Sequence, residues 1–277
     1  MTDALTKALA TRFSDASAAD VPDTALNTLT IMAARGSCRA FRNDPVAGSL
    51  METLAAIALS SPTKSDLQQR DIILVRDPDQ MGQIKALVSE QAWIADAPSL
   101  VIFCGNNRRQ RQVQALRGHA FANDHLDAFF NAAVDAGIAL GAFVTAAEAA
   151  GLGCCPISAV RNHPHEINDL LSLPDHVFPV AGLAVGYPAA KKPTISMRLP
   201  LAATVHVDRF NDDRIEEQIA AYDTARQAAQ PYGCQRHVAV YGVAADYPWS
   251  EDKARQYGQP ERADFGAFIR AKGFNPD

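Results

Sequence analysis

Residues 132–162, AAVDAGIALGAFVTAAEAAGLGCCPISAVRN, decide the fold. Small and apolar residues recur at helical spacing as far as Ala150, and Gly151 supplies the stop, because glycine enters the left-handed conformation that ends a helix at little steric cost. The pattern starts at Asp127, which makes 127–150 the longest predicted helix of the chain. So much alanine and glycine lets neighbouring backbones approach closely, and this segment is expected to be the central helix. Residues 151–158 then read as a turn that can present backbone N–H groups to a flat ligand with few side chains in the way. A tight helix-to-strand connection accounts for the same residues equally well.

Outward from the helix, helical and strand patterns alternate. Residues 99–104 (SLVIFC) form a short apolar run suited to a mid-sheet strand buried on both faces. Residues 70–75 are β-rich and end at Asp77 and Pro78, and 81–94 resume helical spacing. Further back, 60–69 is loop-like, and helices over 23–34 and 45–59 flank the polar turn Arg35-Gly36-Ser37-Cys38-Arg39. Towards the C-terminus a helix at 165–171 precedes a strand at 177–185, closed by Gly186-Tyr187-Pro188. The chain is extended over 191–201, helical over 213–229, and less regular until a helix near 265–272. The alternation indicates α+β or α/β packing, an α/β sandwich without internal repeats.

Composition excludes several classes of function. A chain of 277 residues, 48% hydrophobic, can bury a large core. With 26 basic and 31 acidic residues the net charge is −5, and no Lys/Arg-rich run forms a stripe for a phosphate backbone, so nucleic acid is not an expected partner. The opening MTDALTKALATRFSDASAAD lacks the apolar region of a secretory signal and reads as a short amphipathic helix or arm. The most apolar stretch, 136–147 between Asp135 and Glu148, is about twelve residues, short of the roughly 20 that span a bilayer. No membrane partner is expected. Five cysteines without metal or disulfide spacing suit a reducing cytoplasm, with Cys154 and Cys155 as small buried residues. His163 and His165 lack a carboxylate or cysteine cluster, so no metal is expected.

Three segments carry candidate chemistry. In Arg35-x-Ser37-x-Arg39 two guanidinium groups and a hydroxyl can converge on one anion, as a phosphate requires, although a connecting turn with solvated arginines fits the residues taken alone. The stretch 151–162, GLGCCPISAVRN, is the second. In the third, Arg198-Leu199-Pro200, the proline fixes the chain beside the arginine. No Gly-x-Ser-x-Gly elbow, His-Glu-x-x-His, Gly-x-Gly-x-x-Gly or Gly-Lys-Ser/Thr motif is present.

The ordered set of segments resembles the FMN-dependent nitroreductase family, and most its oxygen-insensitive NADPH nitroreductase and flavin reductase branch. The resemblance rests on RGSCRAFRNDPV (35–46), SPTKSDLQ (61–68), AWIADAPSLVIFC (92–104), residues 132–162, LLSLPDHVFPVAGLAVGYP (170–188) and RLPL (198–201), in that order. It implies a mainly antiparallel central sheet flanked by helices in a domain-swapped homodimer. The chain would comprise an N-terminal arm (1–24), an FMN-binding core (25–210) and a C-terminal extension (211–277) covering the substrate and dinucleotide side.

Residue by residue, the resemblance gives Arg35, Gly36 and Ser37 to the phosphate and ribityl end of tightly bound FMN. It makes Arg39 the catalytic cation beside flavin N1 and O2, where reduction accumulates negative charge. Thr63 would reach the flavin from the partner subunit, Gln91 would touch it, the backbone of Pro156, Ile157, Ser158 and Ala159 would lie along the ring and donate to N5, and Arg198 would close on the phosphate. The chain departs from the branch at Gly36, where an arginine is frequent, at Ser158 and Ala159, where paired glycines are, at Ser196, where a lysine is, and at Pro156 and Asp66. Lys191 or Lys192 could stand in for the missing lysine.

The implied activity is ping-pong hydride transfer from NADPH or NADH through FMN to a nitroaromatic, quinone or flavin. A more specialised enzyme of the same fold, such as a reductive dehalogenase or a metabolite dehydrogenase, stays open, as does a flavin-binding sensor without turnover. Arg236 lies loosely near the place where relatives recognise a 2′-phosphate, and a solvated surface arginine explains it as well.

Overall fold

The protein is described from a computed structural model covering residues 2–189 and 193–276. In chain order its main elements are α1 (Thr2–Arg12), α2 (Asp23–Ala34), α3 (Gly48–Leu59), β1 (Arg70–Val75), α4 (Pro78–Leu87), β2 (Ser99–Asn106), α5 (Arg108–Arg117), α6 (Leu126–Ala149), β3 (Gly153–Ile157), α7 (Pro164–Leu170), β4 (Val177–Gly186), α8 (Ile215–Ala229), α9 (Val238–Tyr241), α10 (Trp249–Tyr257) and α11 (Phe265–Ala271). They form two compact units, one of Met1–Gly36 with Thr194–Glu261, the other of Ser37–Pro193 with Arg262–Asp277.

The second unit holds the sheet, in the order β1-β2-β4-β3, with every neighbouring pair antiparallel. Successive residues of β2 face opposite sides. Leu100, Ile102 and Cys104 join a core with Ile84, Val88, Ile94 and Ile167, whereas Val101 and Phe103 join one with Met51, Leu54, Ala139 and Phe143. Both faces are therefore covered by helices, as the unbroken apolar run predicts. Phe103 and Phe143 meet edge to face at 5.7 Å between centroids, a favoured geometry for an aromatic pair.

The central helix is α6, 24 residues long. Ala132, Ala136, Ala139, Phe143 and Ala147 are fully buried on it, and the small size of the four alanines brings its backbone close to the sheet. At Gly105 of β2 a Cβ would stand 2.5 Å from the Phe178 ring and 3.1 Å from the Ala132 backbone, so only glycine fits. Among the described residues α6 is long and apolar enough to cross a bilayer by composition, more than the twelve-residue count from sequence allows, and its packing on the sheet accounts for the apolar face it buries.

Two segments differ from the sequence expectation, and a third, 108–117, has no counterpart in it. Residues 81–94 are not one helix: α4 ends at Leu87 and a short 3₁₀ turn, Ala92–Asp96, follows. Val88 and Ile94 both belong in the same core, and six residues apart on a continuous helix they would point roughly 120° away from each other. Residues 151–158 are largely strand rather than turn, because Cys154, Cys155 and Ile157 pair with β4, and Pro156 is tolerated on an edge strand, where its missing N–H removes no obligatory ladder bond. Residues 108–117, with four arginines, form α5; Arg109 and Arg111 are engaged by Asp71 and Asp124 at 2.5 and 2.6 Å.

Candidate cofactor site

In the sheet unit, the segment after the Arg35–Ser37 turn is tied at Cys38 to β3 and at Ala40–Arg42 to the residues that follow β4. The Cys38 N–H donates to the Cys154 carbonyl at 2.9 Å, the Arg42 N–H to the Tyr187 carbonyl at 2.9 Å, and the Ala189 N–H to the Ala40 carbonyl at 2.9 Å. Gly153 makes this approach possible: a Cβ there would lie 2.5 Å from Cys38 Sγ. Ser37 and Arg39, which flank Cys38, are thereby set beside the strand that carries Pro156 and Ile157.

Along β3 and the turn after it, Ile157 and Ala159 are buried while Pro156 and Ser158 are exposed, so the strand period turns this short stretch into a surface with few large side chains. The Arg39 guanidinium carbon stands 5.9 Å from the centroid of the Trp93 ring, within cation–π range. Trp93 belongs to the turn whose N-cap is Gln91. Ser37 and Arg39 thus lie next to the strand that leads into the 156–159 segment, and Gln91 is two residues from the Trp93 that Arg39 meets.

Two cations that sequence reasoning did not single out join them. Arg262 Nη2 donates to Ser158 Oγ at 3.3 Å, and Arg161 Nη1 donates to the Val180 carbonyl while its guanidinium lies 5.9 Å from the centroid of the Phe265 ring. Burial, then the charge of Arg262, pulls the Arg161 guanidinium below its ordinary range. Arg161 stands inside the PISAVRN stretch already singled out for its chemistry, whereas Arg262 had no local signal.

Thr63 is not brought to this edge. Its loop leads into β1, and β1 and β3 are opposite edges of the sheet. Thr63 Oγ1 accepts from the Gln68 N–H at 3.3 Å, and the loop is held in an unusual shape, with Ser65, Asp66 and Gln68 at φ of 48°, 55° and 54°, left-handed values that residues other than glycine rarely adopt. The anchor is Asp135 of α6, fully buried, whose two carboxylate oxygens accept from the Lys64 N–H at 3.1 Å and the Gln69 N–H at 3.0 Å. Arg70, also buried, donates to the carbonyls of Leu59 and Ser61 at 2.7 and 2.9 Å. Its desolvation lowers its pKa, and the nearby Asp135 charge works against that.

The other unit carries Arg35, Gly36 and Arg198. Arg35 caps the C-terminal end of α2 with an extended backbone (φ −58°, ψ 148°), and Gly36 is buried. Arg198 is exposed, its guanidinium 3.2 Å from the Met197 carbonyl and 3.4 Å from that of Ser196. Arg12 touches both backbones: Nη2 donates to the Arg35 carbonyl, and the Arg12 carbonyl accepts from the Arg198 N–H at 2.7 Å. Lys191 and Lys192 lie outside the described residues. Arg236 is not a merely solvated arginine: its Nε donates to both oxygens of buried Asp252, at 3.1 and 3.2 Å. Burial raises the Asp252 pKa, but hydrogen bonds from Lys253 and Tyr247 and the charges of Lys253 and Arg236 outweigh it and hold the carboxyl below its usual range.

An antiparallel sheet covered by helices on both faces, with a basic segment along one edge strand, is the nitroreductase-like α+β fold. The chain belongs to the nitroreductase family: residues 32–187 match the family model and residues 196–277 match the model of its C-terminal domain. The FMN reductase [NAD(P)H] of Bacillus subtilis is 38% identical over 193 residues, covering 68% of this chain and 76% of the relative. The oxygen-insensitive NADPH nitroreductase of Salmonella typhimurium is 31% identical over 205 residues, covering 72% of this chain and 83% of the relative. Among solved structures, NfrA2 of B. megaterium superposes with a TM-score of 0.78 at 32% identity, covering 92% of this chain and all (100%) of the other.

Proposed function

We propose that this protein is an FMN-dependent oxidoreductase of the flavin reductase and nitroreductase type. It would use NADPH or NADH as the hydride source and nitroaromatics, quinones or free flavin as acceptors, in a ping-pong cycle. Bound FMN supplies the hydride chemistry: a flavin ring takes two electrons from a nicotinamide and returns them to an acceptor. The observation that carries the reading is the hydrogen bond from the Cys38 N–H to the Cys154 carbonyl, 2.9 Å, which lays Ser37 and Arg39 beside the 156–159 segment.

The donor set suits this cofactor. Arg35 and Arg198 present guanidinium groups of the kind that grip a phosphate, and Ser37 adds a hydroxyl for the ribityl end. The 156–159 backbone offers N–H groups at a surface with few large side chains, and Gln91 supplies an amide. Arg39, held over Trp93, would stabilise the negative charge that reduction brings to the pyrimidine end of the ring. Residues 25–210 would bind the cofactor and 211–277 would cover the dinucleotide side, with Arg161 and Arg262 adding positive potential near Ser158.

A cytoplasmic homodimer completes the reading. Leu126, Phe130, Val134 and Ile138 of α6 are 53%, 59%, 41% and 38% exposed, a stripe at four-residue spacing of the kind that marks an interface. The test is direct: protein purified without added flavin should be yellow, release FMN on denaturation, bleach anaerobically with NADPH and recolour with a nitroarene, quinone or flavin. Colourless protein without affinity for FMN would refute it.

A further inference from the structure

Helix α1 lies outside both stretches that match the family, 32–187 and 196–277. Its last residue nevertheless organises the backbone on either side of the two candidate phosphate-binding arginines. Arg12 is 8% exposed and engages all three guanidinium nitrogens: Nε donates to the Ala33 carbonyl at 3.0 Å, Nη1 to the Ser196 carbonyl at 3.2 Å, and Nη2 to the Arg35 carbonyl. In the other direction its own carbonyl accepts from the Arg198 N–H at 2.7 Å. Three residues on, the Asp15 carboxylate accepts from the Leu201 and Ala202 N–H groups at 2.8 and 3.1 Å.

Among the described residues the segment around Arg198 has no strand partner to fix it, and it is clamped instead from two sides. Opposite Arg12, Gln230 donates to the Ile195 carbonyl at 2.8 Å and accepts from the Met197 N–H at 3.2 Å, and the Tyr222 hydroxyl donates to the Met197 carbonyl at 3.1 Å. A rigid, planar, always-charged side chain suits such a junction, because one guanidinium fixes three carbonyls at set angles and a lysine has no such fork. A binding group is only as well placed as the contacts behind it.

We propose that Arg12 is a positioning residue for the flavin phosphate: it sets the backbones of Arg35 and Arg198 so that their guanidinium groups are pre-organised for one doubly charged group. The inference rests on the FMN reading above. Apoprotein is titrated with FMN and with riboflavin, which lacks the phosphate, following quenching of flavin fluorescence. Wild type should prefer FMN. Arg12→Ala should weaken FMN about 10- to 100-fold, the scale of losing support behind a ligand-holding group, and leave riboflavin within about twofold.

Arg12→Lys, which keeps the charge without the fork, should fail to restore the preference. Arg12→Ala combined with Arg35→Ala and Arg198→Ala should cost little beyond the latter two together, since Arg12 acts through them. The Arg12→Gln variant, with melting temperatures, covers the case in which Arg12→Ala does not fold. An unchanged FMN preference in Arg12→Ala or Arg12→Gln overturns the proposal, as do equal losses for both flavins or full rescue by lysine. A wild type that binds neither flavin, or both equally, overturns the phosphate-site reading itself, and this proposal with it.

Discussion

Arg39 is exposed, and among the described residues its charge rests against Trp93 rather than on a carboxylate. A cation kept free of a counter-ion can spend its field on charge that develops during a reaction, and removing one such group typically costs about 10²–10³ in rate. Arg39→Ala is therefore expected to slow anaerobic flavin reduction by NADPH by about that factor, seen by stopped-flow absorbance, while size-exclusion elution is unchanged; wild-type reduction would remove Arg39 from the chemistry. The cysteines give the opposite case, side chains that burial makes inert. Burial pushes the Cys104 thiol up to about 12 and raises that of Cys38, and Cys154 and Cys155 are buried too, whereas Cys234 is exposed. Iodoacetamide at pH 8 should label the native protein at Cys234 alone, with the other four reacting only in denaturant; mass spectrometry of the native adduct decides, and alkylation of Cys154 or Cys155 in the folded protein would show that β3 opens.

At the scale of elements, α6 was largely legible in sequence because small residues at helical spacing permit little but a close-packed helix. The Gly151 stop was legible for the same reason, but the work done by Asp135 was not. A carboxylate amid alanines marks a buried partner without saying which, and its partners are backbone N–H groups some 70 positions away that no periodicity reveals (Lys64 and Gln69). Nor could periodicity foresee that α4 stops to let Ile94 rejoin the core, or that Pro156 would be accommodated as an edge-strand residue. Asp135→Ala leaves the N–H of buried Gln69 and that of exposed Lys64 without their acceptor and takes a nearby negative charge from the buried Arg70, a loss of about 1–3 kcal/mol on the scale of one unsatisfied buried donor. Chemical denaturation should show that loss. Asp135→Asn keeps an acceptor oxygen and should lose less; a neutral Asp135→Ala would mean that the 60–69 loop has another anchor.

For the whole molecule, the order β1-β2-β4-β3 puts the Thr63 loop and the Arg39 segment at opposite sheet edges, separated by three strand spacings or about 14 Å. Both belong to the site that the family resemblance outlines, so within one chain that site is incomplete. Two copies resolve the conflict if the Thr63 loop of each reaches the flavin held by the other, and the exposed stripe from Leu126 to Ile138 on α6, the helix that anchors this loop through Asp135, supplies an apolar surface for the meeting. Such an arrangement has a signature that no one-chain site can produce. Arg39→Ala and a bulky Thr63→Arg each cripple both sites of a homodimer. In a mixed dimer of the two, made by co-expression with different tags, one site carries both defects and the other carries neither. NADPH oxidation with a quinone acceptor should then recover to about half the wild-type rate per dimer, since one of two equivalent sites is intact. If Thr63 served the site of its own chain, each site of the mixed dimer would carry one defect and the rate would stay at the level of the parents.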